Sequence, residues 1–154
     1  MNIRPATLED RGEVAEMLRE FHAAAGQAYT QFLLASAQKT VEHLATAPSA
    51  TVIVAEDDGR LTGVIAGVVM PVFVNHAQPM AQESFMWVCP EARRAGVASA
   101  LIEALEAWAF VRGARTLSMV AWHGSGHEAV GKLYRGLGYE PLEYHYVKEI
   151  KAPC

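Results

Sequence analysis

The residues best suited to chemistry lie together at 93–99, Arg93-Arg94-Ala95-Gly96-Val97-Ala98-Ser99, just after an apolar run, Phe85-Met86-Trp87-Val88. Two arginines are followed by residues with little or no side chain, and an amphipathic stretch then continues to about Arg112. That order reads as a strand, a tight turn and a helix. The first turn of a helix carries backbone N–H groups without partners inside the helix, and the dipole adds positive potential there. Gly96 and Ala98 let a bulky anion come close to those groups, and Arg93 and Arg94 add charge. A phosphate or pyrophosphate is therefore expected at this turn.

Other reactive residue types are weaker signals. His123 and His127 stand four apart, but neither a H-E-x-x-H pattern nor a third ligand accompanies them, so no metal is expected. Cys89 follows the strand, yet nothing around it in sequence depresses a thiol pKa, and a structural thiol is expected. Gly126-His127-Glu128-Ala129-Val130-Gly131-Lys132-Leu133 comes close to a nucleotide-binding phosphate loop, with Leu133 replacing the hydroxyl that would meet magnesium. Val130, Leu133 and Leu137 already need helix through Gly131, so this match is read as coincidence.

The elements that must position these groups follow from periodicity. A short strand at Asn2 to Arg4 precedes a helix for which Thr7 is a plausible N-cap, with Val14, Met17, Leu18 and Phe21 on one face. A loop from Ala23 to Tyr29 leads to a second helix, roughly Thr30 to Thr46, that stops before Pro48. Val52–Ala55 and Val64–Val69 flank Asp57-Asp58-Gly59-Arg60, a hairpin signal. Asn75 to Gln82 reads as a polar connector before a fourth strand, Ser84 to Val88. The helix from Gly96 puts Val97, Leu101, Leu105 and Trp108 on one side and ends at Gly113. A fifth strand, Leu117 to Trp122, a helix closing at Gly138 and a final strand, Tyr144 to Ile150, complete a mixed α/β or α+β sandwich.

With 154 residues, 51% of them hydrophobic, one domain over 1–154 is expected and disorder is not. A net charge of −4 argues against nucleic acid as a partner. No apolar run approaches the ~20 residues that span a bilayer. Met1-Asn2-Ile3-Arg4-Pro5 has no signal-peptide core, and Cys89 and Cys154 make no disulfide framework. No membrane partner and a cytoplasmic location are the expectations.

The chain resembles the GCN5-related N-acetyltransferase (GNAT) family. Arg93-x-x-Gly96-x-Ala98 with its Val88-x-Pro90 approach matches the family's acetyl-CoA signature. Leu133-Tyr134-Arg135-Gly136-Leu137-Gly138-Tyr139 matches a second feature, a helix carrying a tyrosine and closing in Leu-Gly-aromatic. The resemblance implies the GNAT fold, a mixed sheet of six to seven strands with about four helices on its faces. It implies an acyltransferase that moves an acetyl group directly from acetyl-CoA to an amine. The strand before the signature would splay from its neighbour, and the main chain of Met86, Trp87 and Val88 would pair with the pantetheine arm. The turn Arg93, Arg94, Ala95, Gly96, Val97, Ala98 and Ser99 would hold the pyrophosphate. Tyr134 would protonate the departing thiolate, a role that suits a phenol with pKa near ~10.

His127 stands seven positions before Tyr134, where many members have Asn, and it is included among the expected cofactor contacts. That departure sustains an alternative reading, a non-catalytic acyl-CoA-binding module acting as sensor or partner subunit. An ammonium near pKa ~10.4 must lose a proton before attacking a thioester. Glu83 is the best-placed carboxylate for that step, with Glu128, His123 and His127 as competitors. The acceptor pocket is expected from Phe21 to Phe32 and Asn75 to Gln82, and neither stretch identifies the acceptor. The C-terminal strand, Tyr144-His145-Tyr146-Val147, offers an edge through which a homodimer could form.

Overall fold

Two apolar layers meet on a central sheet because β2, Ala50–Asp57, alternates between them. Val52 and Val54 point to one face, Ile53 and Ala55 to the other, and all four are at most 5% exposed. The computed structural model describes residues 1–26, 30–93, 95–122 and 126–150. In chain order the other elements are β1 (Asn2–Pro5), α1 (Arg11–Ala25), α2 (Leu34–Thr46), β3 (Arg60–Val72), β4 (Asn75–Val88), α3 (Val97–Val111), β5 (Leu117–Ser118) and α4 (His127–Gly136). A single 3₁₀ turn, Pro90–Ala92, links β4 to α3.

The sheet runs β1-β2-β3-β4-β5. Its first three pairings are antiparallel and the last, β4 with β5, is parallel. Val14, Met17 and Leu18 of α1 and Val41 and Leu44 of α2 cover one face. Val97, Leu101, Ile102 and Leu105 of α3 and Tyr134 of α4 cover the other. These are the faces that helical spacing anticipates, and each fully buried Leu or Ile contributes about 1.5–3 kcal/mol. Gly63 and Gly67 let α3 lie close on β3: a Cβ at Gly67 would sit 2.8 Å from Leu105 Cδ1 and 3.1 Å from the Gln82 carbonyl.

The β2–β3 turn is the expected hairpin, with Asp58 and Gly59 both at positive φ, 49° and 76°. Other boundaries move. The first helix begins at Arg11 with Asp10 at its N-cap rather than Thr7. Asp10 is held by Arg4 and itself accepts from the Thr7 N–H and hydroxyl, which keeps residues 7–10 outside the helix. The second helix begins at Leu34, not Thr30.

The expected connector Asn75 to Gln82 is strand. β3 and β4 form one long hairpin closing at Val72↔Asn75, and cross-strand pairing overrides the polar composition. The sheet has five strands among the described residues, not six to seven. The paired part of the fifth strand is two residues long, and 139–150 carry no ladder, so Tyr144 to Ile150 is not a strand. A further strand would need a longer edge than Leu117 and Ser118 provide.

One irregularity matters for the site. Ala66 pairs with Phe85 and Gly67 with Glu83, which leaves Ser84 as a surplus residue in β4. A bulge of this kind shifts the alternation by one. Phe85 and Trp87 therefore face α1 and α2, whereas Glu83, opposite Gly67, faces α3 and α4.

Candidate active site

Among the described residues β4 and β5 pair only at Ala81↔Leu117 and Gln82↔Ser118, after which β4 continues to Val88 with no strand paired on that side. This is the splay the resemblance implies. The free edge includes Met86, Trp87 and Val88, whose other edge is paired to β3 at Ile65, Val64 and Gly63.

Glu83 stands where the two strands part. It is 6% exposed, and its Oε2 accepts the Val120 N–H at 2.9 Å. Tyr134, 7% exposed, reaches it from α4: its hydroxyl lies 3.3 Å from Glu83 Oε2 and 3.1 Å from the Val120 carbonyl oxygen. Val120 thus holds both side chains, one by its N–H and one by its carbonyl. Burial pushes the Glu83 carboxyl up to about 7, with the Val120 N–H and the Tyr134 hydroxyl pulling weakly the other way. Burial and the neighbouring Glu83 charge together raise Tyr134 above the ordinary phenol range. Such an arrangement keeps a phenol protonated beside a carboxylate poised to exchange protons at neutral pH.

At the start of α3, Gly96 adopts the left-handed conformation, φ 75°, and no side chain caps the helix. The space around Gly96 is open: among the described residues beyond its chain neighbours, no heavy atom comes within 4 Å of where a Cβ would stand. The uncapped first turn, Val97, Ala98 and Ser99, suits an anion as its sequence suggests. Ala95 closes the preceding turn through its N–H to the Ala92 carbonyl at 3.1 Å. Arg93 is committed elsewhere. Its Nε donates to the Val88 carbonyl at 3.2 Å, and its guanidinium lies 4.8 Å from the centre of the Trp87 ring. Arg94 and His123 lie outside the described residues. His127 and Glu128 are exposed at the start of α4 and line an open hollow with Gly126, Ala129 and Lys132.

The opposite face of the splay carries an aromatic wall. Phe21 meets Trp87 edge-on at 6.4 Å and Trp122 at 6.3 Å, and Trp87 Nε1 donates to Glu20 Oε2 at 2.9 Å. Phe21 falls in the stretch expected to build the acceptor pocket, but Asn75 to Gln82 belongs to the sheet. Glu20 escaped sequence reading, because a polar residue beside an apolar helical face looks like ordinary solvated surface. Val120 gave no signal either, since its role lies wholly in its main chain. Cys89 is half-buried, and burial raises its thiol pKa, in keeping with a structural role. Among the described residues no three His, Cys, Asp or Glu side chains gather as a metal site.

A parallel pair that splays, a helix start beside it and a buried Glu–Tyr couple at the apex lie together on one side of the mixed sheet. The chain belongs to the acetyltransferase (GNAT) family, whose model matches residues 13–139. No curated protein sequence matches it. Among solved structures it resembles a ribosomal-protein-alanine N-acetyltransferase from Brucella melitensis biovar Abortus 2308, at 24% identity and TM-score 0.75, over 97% of this chain and 99% of that one. It also resembles the aminoglycoside 6'-N-acetyltransferase AAC(6')-IG from Acinetobacter haemolyticus, at 21% identity and TM-score 0.69, over 98% and 100% of the two chains. A third is AAC(6')-Iy in complex with a bisubstrate analogue, CoA-S-monomethyl-acetylneamine, at 18% identity and TM-score 0.77, over 98% of each chain. At these identities the likeness is one of fold. The protein is an acyltransferase of the GNAT family, and among the described residues no helix is long and apolar enough to cross a membrane.

Proposed function

We propose that this protein transfers an acetyl group directly from acetyl-CoA to a primary amine, with no covalent acyl-enzyme. The observation that carries this reading is the open, uncapped start of α3 lying against the unpaired edge of β4, with Tyr134 at the point where β4 and β5 part. The main chain of Met86, Trp87 and Val88 would run beside the pantetheine arm, and 93–99 would receive the pyrophosphate. Arg93 supports that turn from below through Val88 and Trp87, and Arg94 and His127 complete the contacts. Tyr134 acts as the acid toward sulfur, and Glu83 as the base toward nitrogen. Phe21, Trp87 and Trp122 form one wall of the acceptor site.

The acceptor is a small-molecule amine or a protein amine. Thiol release from acetyl-CoA is the direct assay, run with sisomicin, with a peptide beginning in alanine and with simple amines. Release with at least one of them is expected, and none would favour an acyl-CoA-binding module without transfer activity. Replacing Tyr134 with Phe lowers turnover about 10²–10⁴-fold, the usual worth of a general acid, and leaves acetyl-CoA affinity by calorimetry nearly unchanged. An unchanged rate would remove its acid role. Leu142, Tyr144, Tyr146, Val147 and Ile150 are 72–95% exposed. A homodimer in the cytoplasm would cover them, and a monomer in sedimentation velocity would refute that pairing.

A further inference from the structure

The groups assigned as base and acid touch each other. We propose that Glu83 and Tyr134 form one proton relay: the proton taken from the acceptor nitrogen passes through Glu83 to Tyr134, replacing the one that Tyr134 gives to sulfur. This inference rests on the acetyl-transfer reading above.

The geometry supplies a path with two ends. Glu83 Oε2 accepts from the Val120 N–H and from the Tyr134 hydroxyl, while Oε1 accepts no hydrogen bond among the described residues. Oε1 is free to take a proton from nitrogen, and a half-turn about Cγ–Cδ presents that proton to the phenol oxygen. Both side chains are less than 8% exposed, so bulk water is a poor intermediary.

Charge makes the coupling obligatory. A Tyr134 that has given up its proton is a phenolate, about 3.3 Å from Glu83 Oε2. Two anions at that separation in a buried site repel strongly, and neither has a cation beside it among the described residues. The pair tolerates one negative charge, not two. Tyr134 therefore gives its proton to sulfur only as Glu83 has one to hand over, and during turnover that proton comes from the acceptor nitrogen.

The step balances. The C–N bond forms and the C–S bond breaks. The attacking amine's N–H proton goes to the Glu83 carboxylate, the Tyr134 proton goes to sulfur, and the Glu83 proton goes to the Tyr134 oxygen. The products are an amide and a thiol, with Glu83 again a carboxylate and Tyr134 again a phenol. A raised carboxyl pKa near 7 helps, because the acid form then lies close in energy to the base form.

The test uses the full chain, acetyl-CoA and methylamine, a primary amine small enough to need no shaped pocket. In the wild type, kcat measured across H₂O–D₂O mixtures should bow below a straight line, since more than one proton moves in the rate-determining step. In Tyr134→Phe the plot should straighten. Glu83→Gln and Tyr134→Phe should each lower kcat about 10²-fold or more, and the double variant should fall no further than the slower single one. Losses that multiply, or a straight wild-type plot, would overturn the relay while leaving both separate roles standing. An unchanged kcat in Glu83→Gln would remove the base, and the relay with it. No thiol release from the wild type with methylamine, sisomicin or the alanine peptide would remove acetyl transfer itself.

Discussion

Replacing Glu83 with Gln should make the protein more stable at pH 8, and the structure sets the size of the effect. Burial lifts the Glu83 carboxyl from 4.5 to about 7. At roughly 1.4 kcal/mol per pH unit, keeping it ionised above pH 7 costs the folded state about 3 kcal/mol. The sign follows from proton counts. Between pH 4.5 and 7 the folded chain holds a proton on Glu83 that the unfolded chain has released, so stability falls as pH rises through that window. Below it both states are protonated and the cost vanishes; above it the cost is fully present. Gln keeps an oxygen for the Val120 N–H, and it never ionises. Relative to the wild type, the variant should gain about 3 kcal/mol between pH 4 and pH 8. Urea unfolding at a series of pH values measures this as a widening gap in midpoint, about 1–3 M for ordinary urea slopes. The gap should grow mainly between pH 5 and 7 and then stay level. Two profiles that run parallel from pH 4 to 8 would refute the claim that the fold stores strain in this carboxylate. A variant that gains stability while losing turnover would show what the ionised group is kept for.

Two further outcomes follow from packing. Gly67→Ala should destabilise by about 1–3 kcal/mol, because the added methyl would press on fully buried Leu105 and on a carbonyl of β4; calorimetric melting checks it, and an unshifted Tm would show that α3 can retreat. Arg93→Ala should cost about 1–2 kcal/mol of stability through the lost Val88 bond and Trp87 stacking. It should also weaken acetyl-CoA binding in titration calorimetry, and full affinity would mean that the turn holds its shape without the arginine.

What could be read ahead, and what could not, divides by the range of the interactions. The faces of α1 and α3 were legible because Val14, Met17, Leu18, Val97, Leu101 and Leu105 recur at helical spacing, and helices form from near neighbours. The Asp58-Gly59 turn was legible for the same reason. The lower half of β4 was not, since Asn75, His76, Gln78 and Pro79 look like loop until β3 supplies their pairing. The start of α1 moved because Arg4, distant from the cap in the usual pattern, draws Asp10. Within the site, Gly96 was placed by its motif. Arg93 was expected at an anion, and its observed partners, the Val88 carbonyl and Trp87, depend on how the turn folds back. Glu83 was chosen for its position along the strand. Its contact with Tyr134 depends on a bulge at Ser84, which no residue type announces.

That one surplus residue splits β4 into two halves of opposite phase. Odd-numbered residues up to Glu83 face the layer of α3 and α4, and odd-numbered residues from Phe85 face α1 and α2. Phe21, Trp87 and Trp122 can therefore be exchanged for other shapes without disturbing the carboxylate and phenol across the sheet. The strand works like a mortise lock whose bolt and keyhole open on different sides of the door: new keys can be cut while the bolt stays as it was.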